Sequence, residues 1–210
     1  MTTWASFLDA IRAYLKDDQE NPKYSDHLIY LYTVDAIRDY SQWFPREQRV
    51  EIEPLDGGYP APEDMVDVRV VEYPEGTYLK TRVARPGYTF RTLPSPTLYW
   101  VEGNTLYINS EPKRPLFLTY GGIHAYPTSD EDEEFEFTVP SRDIELINIY
   151  VRAKCLEQTR TRQSSLDRFK RRGSRDDNPM MPETVSLMDE YYNKIAERST
   201  GGIIYLYGAK

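Results

Sequence analysis

Two histidines, one cysteine and several carboxylate runs are the side chains through which this 210-residue chain could do metal, nucleophilic or acid-base chemistry. His27 and His124 fall in different predicted elements, with no spacing that would make a helical metal pair or a histidine and cysteine cluster, so each reads as an ordinary surface or packed histidine. Cys155 has no second cysteine to pair with, and a reducing compartment or indifference to redox is expected. The run Asp130 to Glu136 offers the clustered oxygens that a hard cation wants. It lacks the alternating spacing and turning glycine of a calcium loop, which leaves a solvated acidic loop or an interface patch. Glu63 and Asp64 are not set apart as an acid and base pair. Gly57-Gly58 and Gly121-Gly122 precede prolines or strands, not helix N-termini, so no phosphate cradle is expected. The reading is a non-enzyme with no catalytic residue, no metal and no cofactor.

The elements that would carry any other function are more telling. Trp4, Phe7, Leu8, Ile11 and Leu15 recur at helical spacing over residues 3 to 16. Ser25 or Asp26 can cap a second helix running to about Trp43, with Tyr30, Val34, Ile37 and Phe44 on one side and Ile29, Ala36, Tyr40 and Trp43 beside them. After Pro45 the period becomes alternating: Val50 and Ile52 against Arg49, Glu51 and Glu53, then Val66, Val68 and Val70 against Asp67, Arg69 and Val71. Gly57-Gly58 marks a turn, and Glu102-Gly103-Asn104 between Leu98–Val101 and Thr105–Ile108 predicts a hairpin. Residues 77 to 97 carry three prolines and read as short or edge strands. After Pro140, Ser141 can cap a helix with the stripe Ile144, Ile147, Val151 and Cys155, extending past Leu166 and Phe169. A last helix opens at Pro182 with Val185, Met188, Tyr192 and Ile195 on one face.

These segments predict an α+β fold in which N-terminal helices (1–45) and C-terminal helices (140–198) form a helical bundle and an antiparallel β-sheet or sandwich (46–139) is inserted between them. The extended segment 199–210 follows. There Gly201-Gly202 releases Ile203, Ile204, Tyr205, Leu206 and Tyr207, five strand-forming residues suited to adding a strand to a sheet elsewhere, or to the protein's own sheet.

Charge narrows the function classes. A net charge of −8 argues against a protein whose main task is wrapping nucleic acid. Its distribution is uneven: Glu131, Asp132, Glu133 and Glu134 oppose a basic stretch from Arg160 to Arg175 that includes Arg168, Lys170, Arg171, Arg172 and Arg175. Such patches suit copies docking side by side, or are simply two solvated surfaces. The 18 tyrosines against seven phenylalanines fit surfaces partly buried against other proteins, although β-propensity alone also favours tyrosine. No run of about eighteen apolar residues occurs, and Met1-Thr2-Thr3-Trp4 has neither the charged nor the apolar region of a signal peptide. A soluble product made in the cytoplasm, without membrane contact, is expected.

Tyr59 to Pro74, reading YPAPEDMVDVRVVEYP, resembles a pattern of the head-to-tail connector (neck) adaptors of tailed phages. LYWVEGNTLYI from Leu98 and FLTYGGIHAYP from Phe117 resemble later strands of that family's β-domain, and Ala36–Tyr40 with the Phe44-Pro45 exit and Leu146–Glu157 resemble its helices. The likeness spans about residues 3 to 198 and extends to the tail tubular, or gatekeeper, adaptors of short-tailed phages. Ala61 stands where a larger apolar residue is usual, and the proline-bearing stretch from Thr77 departs from the pattern. The resemblance implies a virion structural protein of the neck: a ring of about a dozen identical copies under the portal protein, joined below to the next neck or tail protein. DNA would pass through the lumen without specific binding. Ile203 to Tyr207 would suit insertion into a portal or neighbouring sheet.

Two other classes compete. A non-enzymatic β-domain binding module could hold carbohydrate or peptide through exposed aromatics such as Tyr99, Trp100 and Tyr107. A basic-helix nucleic-acid binder could use Arg160 to Arg175, against the overall acidity.

Overall fold

A computed structural model describes residues 2–17, 20, 22–81, 98–170 and 181–199, the side chains of 160–170, 181 and 182 excepted. The chain is α+β, with helices α1 (Trp4–Leu15), α2 (Asp26–Trp43), α3 (Ile144–Lys170) and α4 (Met181–Ser199). Its strands are β1 (Arg46–Ile52), β2 (Tyr59–Pro60), β3 (Met65–Glu72), β4 (Lys80–Thr81), β5 (Leu98–Glu102), β6 (Thr105–Ile108) and β7 (Leu116–Gly122). It divides into a helical unit, Met1–Trp43 with His124–Lys210, and a sheet unit, Phe44–Ile123.

The helical unit forms where apolar stripes meet capped ends. Thr3 caps α1 in a capping box with Ser6, and the side chain of Ser25 accepts from the Leu28 N–H at the start of α2. Arg12 fixes the connection between them: its guanidinium pairs with Asp17 and Asp26 and donates to the Tyr24 carbonyl, while the Asp17 carboxylate accepts from the Lys23 and Tyr24 amides at 2.7 and 2.9 Å. Trp4, Phe7 and Ile11 of α1, Ile29, Ala36, Ile37 and Tyr40 of α2, and Leu146, Ile147, Val151 and Cys155 of α3 are all buried. Helix α3 is apolar on two sides because it touches α1, α2 and α4.

Several expectations change here. The buried side of α4 is Thr184, Leu187, Tyr191 and Ile195, whereas Val185 and Tyr192 are exposed; a stripe offset by one residue turns the helix by about 100°. Trp43 is 53% exposed, since the last turn of α2 runs beyond the core. Ser141 does not cap α3: it opens a 3-10 turn, Ser141–Asp143, that starts from Pro140 without a side-chain cap. Residues 124–139, expected within the β-domain, belong to the helical unit. They are tied there by backbone bonds from Trp4 N to the Phe135 carbonyl (2.9 Å) and from Phe137 N to the Thr2 carbonyl (3.1 Å), and by His124 N donating to Ser41 Oγ (3.0 Å).

In the sheet unit a three-stranded antiparallel sheet runs in the order β1-β7-β3 and a four-stranded sheet in the order β2-β6-β5-β4. One core lies between them, from Ile52, Val71, Leu116, Leu118 and Tyr120 of the first and Tyr59, Tyr99, Leu106 and Ile108 of the second, with Tyr73 and Leu79. Strand β4 pairs with β5 in parallel, Lys80 with Leu98 and Thr81 with Tyr99, so the unit is not purely antiparallel. The sequence separation of these strands exceeds the dozen or so residues a parallel return requires. In β3 two register shifts, between Met65 and Asp67 and between Val68 and Val70, break the simple alternation. Core contact passes to Met65, Val68 and Val71, and Val66 and Val70 remain half-buried outside that cluster. The turn after β1 centres on Asp56 and Gly57, with φ of 50° and 84°, the two positive values a type I′ hairpin turn needs.

Candidate interaction surfaces

The acidic loop is seated against α1, whose first turn has no acidic residue of its own. Besides the backbone bond at Phe135, Trp4 Nε1 donates to the Asp130 carbonyl at 2.9 Å. The loop therefore brings negative charge beside the positive end of α1, a favourable placement that needs no partner. Asp132 is internally satisfied, accepting from the Thr128 amide and hydroxyl at 3.2 Å each. Glu131, Glu133 and Glu134 are exposed and pair with no cation among the described residues. Of the proposed basic partners, Arg168 and Lys170 lie in the last turn of α3. Arg171, Arg172, Arg175 and the segment Ile203 to Tyr207 lie outside the described residues.

Tyr99, expected among exposed aromatics, is buried, and its hydroxyl accepts from Thr81 Oγ1 at 2.7 Å. Its side chain points to the core because β5 alternates. Trp100 and Tyr107 are half-buried on the β5–β6 hairpin and stack on each other, with centroids 5.6 Å apart and planes 19° apart. None of the three is therefore exposed: Tyr99 is buried, and Trp100 and Tyr107 are half-buried, each with one ring face occupied by the other.

The groups first considered for chemistry are dispersed or packed away. His27 is exposed, 3.6 Å from Asp130, while His124 is buried with Nδ1 3.2 Å from Thr138 Oγ1 and its ring 5.5 Å from that of Tyr40. Burial pushes the Cys155 thiol up to about 12, with the Asp17 carboxylate adding to the effect. Among the described residues no group of three or more His, Cys, Asp or Glu is placed to hold a metal, and no helix is long and apolar enough to cross a membrane.

Sequence reading missed a groove beside β1. Among the described residues β1 pairs only with β7, so its other edge is open. Next to it lies a groove of about 570 Å³ lined by Val50, Ile52, Leu55, Pro60 and Pro62, together with the exposed Glu51, Glu53 and Glu63. Leu55, at 60% exposure, precedes the Asp56-Gly57 turn. An isolated leucine flanked by Pro54 and a tight turn was the available signal.

No protein-family model matches the chain, and no curated protein matches it.

Proposed function

We propose that the protein is a head-to-tail adaptor of a tailed phage, copies of which close into a ring beneath the portal, join the filled capsid to the tail and let DNA pass. The observation that carries this reading is the chain order: the two ends of the sequence make one helical unit, and Phe44–Ile123 makes a separate sheet unit between them. That arrangement accompanies the motif resemblance through YPAPEDMVDVRVVEYP, in which Tyr59 and Tyr73 are both core residues packed edge to face at 6.2 Å.

Electrostatics fit a conduit. At −8 per copy, a ring of about a dozen sums to on the order of −100, a field that repels phosphate and lets DNA slide without adhering. Exposed Glu131, Glu133 and Glu134 offer one sign for lateral or portal contacts, and the arginines of 160–175 the other. Electron microscopy and native mass measurement of the protein, alone and mixed with the phage portal, test the reading. Portal-dependent rings of many copies are expected; a monomer under both conditions overturns it.

A further inference from the structure

We propose that the open edge of β1 and its groove receive the segment Ile203 to Tyr207 of a second copy of this chain as an added strand. This rests on the ring reading and names the contact that would link neighbours. A ring closes through heterologous contacts, in which an element of one copy sits on a different surface of the next, and a strand donated to a sheet edge is such a contact.

The edge supplies a row of backbone donors and acceptors that β7 does not use. Beside it, Val50, Ile52, Leu55, Pro60 and Pro62 form an apolar wall, and the prolines bring no N–H of their own to compete with β1. An occupant must therefore be extended, apolar at alternate positions and free of acidic side chains, because Glu51, Glu53 and Glu63 line the same groove. The sequence of 201–210 meets the conditions of composition. Ile203, Tyr205 and Tyr207 alternate with Ile204 and Leu206, no acidic residue occurs among them, and Lys210 adds a positive charge. In the sequence, Gly201 and Gly202 precede the run, and glycine is the residue least restricted in backbone conformation.

The test mixes two full-length variants, Glu51→Cys and Tyr205→Cys, under mild oxidation, alone and with portal, while sizing the same samples. Buried Cys155 stays out of the exchange. An interchain disulfide is expected at on the order of tenfold the yield of a control mixture with Glu102→Cys, because pairing raises the local thiol concentration. Adding Leu55→Glu to the acceptor should return the yield to the control level without moving its thermal midpoint, since Leu55 is exposed. Multimers without the link would overturn the proposed acceptor and leave the ring standing. In a third variant carrying both Glu51→Cys and Tyr205→Cys, a disulfide formed only within one chain would overturn donation between copies. Monomers in every sample, with no link, would sink both.

Discussion

Asp143 joins three helical segments: it begins the approach to α3, accepts from the Tyr40 hydroxyl of α2 at 2.6 Å and pairs with Arg198 of α4. Replacing a buried acceptor strands both donors, so Asp143→Ala should cost about 3 kcal/mol of unfolding free energy by urea titration. The neighbouring pair of Lys194 with Glu145 spans 2.6 Å with the Glu145 side chain solvated, and the hydrogen bond from Lys194, helped by its charge, holds the Glu145 carboxyl below the usual carboxylate range. Glu145→Gln should change stability by less than about 1 kcal/mol in the same titration. Burial, reinforced by Asp64, pushes the Tyr120 hydroxyl up to about 12, and burial raises Tyr40, Tyr59 and Tyr191 as well. The native state then holds protons that the unfolded chain releases above its ordinary thiol and tyrosine values. Stability is fully present below about pH 9 and is lost as pH rises toward about 12, by about 1.4 kcal/mol per pH unit for each participating group. Urea midpoints measured across that interval, with tyrosinate absorbance followed in parallel, should fall together; a flat profile contradicts the assignment.

At the scale of elements, β7 is the strand on which the sheet unit depends, because it separates β1 from β3. Its end is glycine for reasons of space. A Cβ on Gly121 would stand 2.2 Å from Asp67 Oδ1 and 2.8 Å from the Pro45 ring, and the same Asp67 oxygen accepts from the Gly121 amide at 3.0 Å. Gly121→Ala should therefore cost about 1–3 kcal/mol through displacement of both neighbours, measured by thermal or urea unfolding, with loss of protection of the Gly121 amide to hydrogen exchange. The helices and the β5–β6 hairpin were readable from periodicity and from Gly103-Asn104, where Gly103 takes φ of 59°. The face of α4 was not. Val185, Met188, Tyr192 and Ile195 match helical spacing as well as Thr184, Leu187, Tyr191 and Ile195 do, and only contact with α2 and α3 separates them. Tyr191 decides it by donating to Asp39 at 2.6 Å and meeting Tyr150 edge to face. In β3 the failure lay in the backbone, since inserted residues move valines between faces without any change of composition.

For the whole molecule, assembly is where the charge pattern should show itself. If lateral contacts join Glu131, Glu133 and Glu134 to arginines of a neighbour, rings should weaken as salt rises, because exposed pairs are screened over about 8 Å at physiological ionic strength. Reversing Arg168, Lys170, Arg171, Arg172 and Arg175 to glutamate should abolish ring docking on the portal while circular dichroism and the thermal midpoint stay near those of the parent; retained docking would remove the patch from the interface. Composition and period alone determined the α+β class, the helical ends and the strand-rich middle, because local burial patterns repeat every few residues and are written directly in the chain. Tertiary structure alone decided that 124–139 join the helices, that β4 lies parallel to β5, that Tyr99 turns inward and that β1, among the described residues, has one unpaired edge beside a groove. Each of those depends on which distant segment supplies the matching hydrogen bond or apolar surface, and pairing between distant segments leaves no periodic mark in a sequence.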